Sequence, residues 1–287
     1  MNSSILLSSA TFVYALAAFL YIFSWVFKKD FAAKAGLWVT VAGIIVNGTG
    51  IVMRWVESYN LGFGHAPFSN LYESLIFFAW TIAVIFVVVD RKYKVPIVGT
   101  FTTPLAFLAL AYASLSPNIS EKIQPLLPAL KSNWLIAHVI TCFIGYAAFA
   151  IAFGISIMYL IKQGREKETG GWIAMLPDTE ALDALSYQLI IFGFLFLTIG
   201  IITGAVWANT AWGRYWGWDP KETWSFITWM IYATLLHARN MRGWRGKRIA
   251  YLSIIGFIAV LVTYFGVNYL PRIFGVDGLH SYGSVSK

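Results

Sequence analysis

"AHVITCFIGYAAFAIAFGISIMYLIK", residues 137–162, contains no Asp, Glu, Lys or Arg before its final lysine. It is the inner part of an apolar run over 134–161, longer than the ~20 residues that carry an α-helix across a bilayer. Outward in both directions the pattern returns, with apolar runs near 5–27, 35–53, 74–89, 95–115, 184–208, 222–238 and 249–270. A chain of 287 residues with 59% hydrophobic and 12% charged content does not suit a water-soluble surface. The expected fold is therefore all-α: a polytopic membrane protein with about eight transmembrane helices. No internal repeat, low-complexity tract or shift of composition divides the chain, so 1–287 reads as a single integral membrane domain. The first run follows no basic residues, exceeds a signal-peptide core and continues into "FKKD", which reads as a retained helix.

Charge orients the spans. With the N-terminus outside, Lys28, Lys29 and Lys34, then Arg91, Lys92 and Lys94, then Lys162, Arg165 and Lys167, and finally Arg239, Arg242, Arg245, Lys247 and Arg248 all fall on the cytoplasmic side. These are fourteen of the 21 basic residues, as the positive-inside bias requires, and both termini then lie outside. Topology thus accounts for most of the formal charge of +8, and no basic domain argues for a nucleic-acid partner. The one cysteine, Cys142, excludes an internal disulfide and reads as packing. Any thiol chemistry involves thiols of another protein.

The outer connections hold the unusual residues. "WGRYWGWDPKETWSF", 212–226, sets four tryptophans beside Arg214, Asp219, Lys221 and Glu222, in a loop spanning 208–223. Asp219, Pro220 and Glu222 satisfy a helix start, with Asp219 as N-cap and Glu222 three residues on as its reciprocal partner. One or two tryptophans suit a membrane interface, but four exceed that need. Trp212 and Trp216 are spaced as helical neighbours, with Asp219 near the same face and Trp218 pointing elsewhere. Large rings held this way form a flat-walled slot for a planar ligand, a porphyrin being the obvious one at a membrane.

Four histidines complete the inventory: His65, His138, His237 and His280. His138 stands about six residues into the fifth span, roughly 9 Å below its outer end at 1.5 Å per residue. His280, in the outer tail, can fold back, and two imidazoles across one iron would make a bis-histidine haem site beneath the Trp-rich loop. His237 lies about 26 Å beyond Pro220 along the seventh span, in the cytoplasmic half, where an ionisable group suggests function. No other histidine of this chain shares that leaflet, so a second subunit should supply its mate. In "GHAPFSNLYESL", 64–75, Asn70 and Glu73 form a cap pair and His65 supports a loop. No Cys/His cluster, phosphate-binding glycine loop or nucleophile elbow appears.

On these residues the chain resembles a known family. "WGRYWGWDPKETWSFITWMIYATLLH", 212–237, is similar to the WGxxWxWD haem-handling signature, and with "GHAPFSNLYESL" it looks most like the CcsA/ResC type of cytochrome c biogenesis protein. The likeness of span number and histidine placement extends over nearly the whole chain. The smaller CcmC type and the much longer CcmF type fit this length less well. The resemblance implies that Trp212, Gly213, Trp216, Trp218 and Asp219 line an outer haem site flanked by His138 and His280 as axial ligands. It implies that His237 belongs to an inner site whose mate resides in a CcsB/ResB-type membrane subunit. It also implies haem b as a non-covalently held substrate, joined through its vinyl groups to the two thiols of an apocytochrome c CxxCH segment. A thiol-reducing protein would keep those thiols free. The host would be a bacterial cytoplasmic or a thylakoid membrane. Arg214, Lys221 or Arg272 could meet the haem propionates, though rim cations at a membrane surface as often meet lipid phosphates.

The expected function is that of a cytochrome c synthase (haem lyase) subunit. Haem export or chaperoning without ligation stays open. An electron-transferring b-type cytochrome is disfavoured, because no span carries two histidines at a haem-stacking separation.

Overall fold

The computed structural model describes residues 2–165 and 171–266. Eight α-helices and no strand appear among them: α1 Ser3–Phe27, α2 Asp30–Asn60, α3 Leu71–Tyr93, α4 Gly99–Leu115, α5 Asn133–Gly164, α6 Thr179–Trp212, α7 Pro220–Arg242 and α8 Lys247–Leu261. A π-helical turn, Val262–Gly266, extends α8. Among the described residues every expected span is a helix, and α2, α3, α6 and α7 reach beyond the apolar runs that mark them. Hydropathy reports the lipid-embedded part of a helix, whereas backbone hydrogen bonds continue into the polar interface. Seven of the eight are long and apolar enough to cross a membrane. The exception is α7, whose length of ~35 Å suffices but whose ends carry Lys221, Glu222, Arg239 and Arg242. The chain is an integral membrane protein.

Successive helices alternate in direction, so the connections gather at two ends. One is the basic end, with Lys28 and Lys29 joining α1 to α2, 94–98 joining α3 to α4, and 243–246 joining α7 to α8. Lys28, Lys94 and Gly243 stop their helices there in the left-handed conformation, each donating its backbone N–H to a carbonyl of the preceding turn. α6 starts at "PDTE" with Asp178 at the N-cap, but the Asp178 carboxylate meets Lys162 at 3.3 Å rather than the α6 backbone. The opposite end is the tryptophan-rich end, built from 61–70, 116–132 and 213–219.

Short connections make antiparallel neighbours of α1 and α2, α3 and α4, and α7 and α8. The most extensive packing joins α5 to α6, and it depends on glycine. An added Cβ would lie 3.0 Å from the Gly193 carbonyl at Gly145, 2.7 Å from the Phe149 ring at Gly193, 2.5 Å from Cys142 Sγ at Gly200, and 2.6 Å from His138 Nδ1 at Gly204. Small residues let two membrane helices approach until dispersion holds them, since lipid supplies no hydrophobic drive between helices. Across the bundle, Tyr232 of α7 stacks on Phe149 of α5, ring centres 3.6 Å apart and planes within 6°.

At the tryptophan-rich end a buried ion pair ties α2 to α3. Arg54 Nε donates to Glu73 Oε1 at 2.8 Å, with both side chains essentially sealed from solvent. Glu73 Oε2 also accepts from the backbone N–H and hydroxyl of Ser69, each at 2.7 Å. This corrects the reading of Asn70 and Glu73 as a reciprocal cap. Asn70 does cap α3 by accepting from Glu73 N–H at 2.9 Å, but the Glu73 carboxylate serves Arg54 and Ser69.

Candidate functional site

Between α5, α6, α7 and the 213–219 loop lies a cleft of about 60 Å³. That is smaller than the ~300–1,000 Å³ of sites that enclose small molecules. Its lining includes His138 and Cys142 from α5, Gly204 from α6, Trp216 from the loop, and Lys221 and Glu222 from α7. His138 and Trp216, 78 positions apart in sequence, therefore face one space.

His138 is half-buried. Its Nδ1 lies 2.7 Å from the Gly200 carbonyl oxygen, which can only accept, so Nδ1 carries the proton and donates. The indole of Trp207 lies nearly parallel to the imidazole, centroids 6.0 Å apart and planes within 18°. Trp207 is itself held, its Nε1–H donating to the Ala129 carbonyl at 2.9 Å. Cys142 Sγ, 3.6 Å from His138 Nδ1, fills the notch left by Gly200 and is buried, which suits the packing role read from sequence.

The loop is shaped by its charges. Asp219 Oδ1 accepts from the backbone N–H of Lys221 at 2.9 Å and of Glu222 at 3.0 Å, completing the N-cap. Glu222 Oε2 reaches back to accept from Gly217 N–H at 2.7 Å and Asp219 N–H at 3.1 Å. Those two N–H groups flank Trp218, which takes φ +58° and is 66% exposed. A bulky residue in the left-handed region costs on the order of 1–2 kcal/mol, so the Glu222 clamp holds a strained turn. The Trp218 ring meets Trp216 edge-on at 5.6 Å, and both touch Phe226. The buried Trp216 Nε1–H has no hydrogen-bond partner among the described residues.

One expectation about the loop is corrected. Trp212 and Trp216 are not helical neighbours, because Gly213 ends α6 at φ +71°, its N–H donating to the Asn209 carbonyl at 2.9 Å. Trp212, the last residue of α6, packs edge-on against Trp207 at 4.9 Å. Trp216 instead belongs to the returning loop. Gly213 and Asp219 thus have structural tasks, the first as helix stop and the second as cap.

His237 is brought to none of this. It is exposed on α7, five residues before the helix ends at Arg242, and makes no hydrogen bond or ion pair among the described residues. Nearby, Arg239 binds Asp183 of α6 at 2.7 Å, and Asp183 also accepts from Gly246 N–H at 2.9 Å. His280 and Arg272 lie outside the described residues. His65 is buried with its ring nitrogens 2.9 Å from the Ala66 and Gln124 carbonyls, so it pins two loops together as the sequence suggested. Trp207 and Arg54 escaped sequence reasoning. Trp207 lies inside an apolar run where an indole reads as packing, and Arg54 ends a span where a basic residue reads as interfacial.

The residues of the cleft suit a planar metal-bearing ligand: an imidazole with its second nitrogen unprotonated, an indole wall whose N–H is unpaired among the described residues, and the ammonium-bearing Lys221. The comparisons with known proteins point the same way. Residues 68–274 match the model of the family described as cytochrome C assembly protein. A cytochrome c biogenesis protein CcsA of Prochlorococcus marinus is 40% identical, the alignment covering 96% of this chain and 92% of that one. The CcsA of Guillardia theta is 42% identical over 80% of this chain and 79% of its own. Among solved structures, the cytochrome c haem lyase CcmF shares the fold, with a TM-score of 0.65 at 15% identity, covering 97% of this chain and 52% of the lyase. Matched through most of its length by the family model and nearly end to end by such relatives, the chain belongs to the cytochrome c assembly protein family, on its CcsA branch.

Proposed function

We propose that the chain receives haem b, carries it outward and presents it for thioether attachment to apocytochrome c, as one membrane unit of a two-subunit synthase. The observation that carries the reading is the shared cleft of His138 and Trp216. In this reading the tryptophan-rich end faces the outer side and the basic end the cytoplasm, as the bias of lysine and arginine favours. His138 offers Nε2 to the iron from one side, with His280 as its mate. Trp216, backed by Trp218, walls the ring, and its free indole N–H together with Lys221 is suited to a propionate. His237, facing away from its own bundle, awaits a ligand from a CcsB/ResB-type subunit.

The ligation adds each thiol across a vinyl double bond, sulfur joining one carbon and hydrogen the other, so no net oxidant is consumed. Fixed geometry is the main catalytic resource, because it turns an encounter of two molecules into an intramolecular addition. A thiol-reducing protein keeps the apocytochrome cysteines available. The test uses the chain purified with its membrane partner and supplied with haem and reduced apocytochrome. Covalent pigment on a denaturing gel is the expected result; haem release without covalent product would replace synthase with export.

A further inference from the structure

We propose that Gly200 and Gly204 of α6 are positioning residues that lock His138 in the Nδ1–H tautomer, leaving Nε2 as the metal-binding nitrogen. The inference rests on reading His138 as an iron ligand, and it assigns the device that makes it one. A neutral imidazole carries one proton, and whichever nitrogen holds it cannot bind metal. The Gly200 carbonyl, 2.7 Å from Nδ1, takes that proton's hydrogen bond and decides the tautomer. Ligating histidines commonly gain orientation and basicity from such a bond on the second nitrogen.

Gly204 supplies the room. Its missing Cβ would stand 2.6 Å from Nδ1, well inside contact distance, so the ring occupies space that any other residue would fill. Glycine inside a helix costs ~0.5–1 kcal/mol relative to alanine, a cost met where close approach is required. Along the same seam, Gly193 admits the Phe149 ring and Gly200 the Cys142 sulfur; at Gly204 alone of the three is the guest a titratable ring. Trp207, nearly parallel to that ring, limits its rotation.

The experiment uses the full-length chain in lipid nanodiscs with 15N-labelled histidine. Four histidine signals are expected, and His138→Gln identifies one of them. In haem-free protein His138 should show a protonated Nδ1 and a bare Nε2. Gly204→Ala should abolish that signature and weaken haem binding about 10–100-fold, and added imidazole should restore the pigment. Gly193→Ala, three turns along the same seam, should keep both signature and affinity. A proton on Nε2 in the wild type would overturn the proposal, as would a Gly204→Ala protein with unchanged signature. Equal loss in Gly193→Ala and Gly204→Ala would overturn it too, by making the seam merely structural. If the signature stands and His138→Gly leaves haem binding intact, the iron-ligand reading falls while the tautomer lock survives.

Discussion

His138 and His237 occupy opposite ends of one bundle under opposite conditions. His138 is fixed by its own chain: a carbonyl takes its proton, a glycine makes room, an indole flanks it, and a loop clamped by Glu222 faces it across a cleft. His237 stands exposed on α7, and the ordered contacts near it, Arg239 to Asp183 and Tyr187 to Asn240, secure the helix end rather than the imidazole. In the function proposed above, the contrast separates a site whose framework this chain builds from a half-site that another molecule would complete.

That contrast can be broken by substitution, beginning with the largest expected effect. Arg54→Met should destabilise the protein by about 3–5 kcal/mol, because it strands the Glu73 carboxylate without its cation in a sealed environment. Thermal unfolding in detergent would read this, and a wild-type melting curve would show that the tryptophan-rich end does not depend on the pair. Next, Glu222→Ala removes the acceptor for two backbone N–H groups and should cost about 2 kcal/mol. Its haem pigment should fall with it, since Trp216 loses its seat; full pigment would detach the loop from the site.

Asp219→Ala should cost about 1 kcal/mol by loss of the cap, measured by the same melts. Trp218→Gly relieves a strain of on the order of 1–2 kcal/mol and loses ring contacts worth ~0.5–1.5 kcal/mol. Its melting temperature should therefore stay level or rise slightly while haem binding weakens; a clear fall in stability with unchanged pigment would make Trp218 a structural residue. Last, His237→Ala should leave stability within ~0.5 kcal/mol, yet lower the haem content of the complex with the partner subunit. A similar loss of haem from the isolated chain would show that the lower site needs no partner.

The fold was legible because lipid imposes a simple rule, and among the described residues every run of about twenty apolar residues became a helix. α7 was legible twice over: 222–238 reads as an apolar run, and "DPKE" announces its first turn chemically. The candidate site was half legible. Histidines and tryptophans announce themselves by scarcity and clustering, yet their meeting depends on Gly213 stopping α6 and on a left-handed turn at Trp218, neither of which spacing reveals. Assuming helical spacing across that stop is what wrongly paired Trp212 with Trp216. Arg54 and Glu73, 19 positions apart on separate helices, left no local signal at all.

The face-to-face stack of Phe149 on Tyr232 joins the helix bearing His138 to the helix bearing His237 near the middle of the bundle. Two rings 3.6 Å apart leave no slack between them, and a close-packed interior passes on displacement instead of absorbing it. A tilt of α7 is thereby passed on to α5 instead of being taken up between them. A pair of aromatic residues outside the cleft thus ties the helix of His138 to the helix of His237.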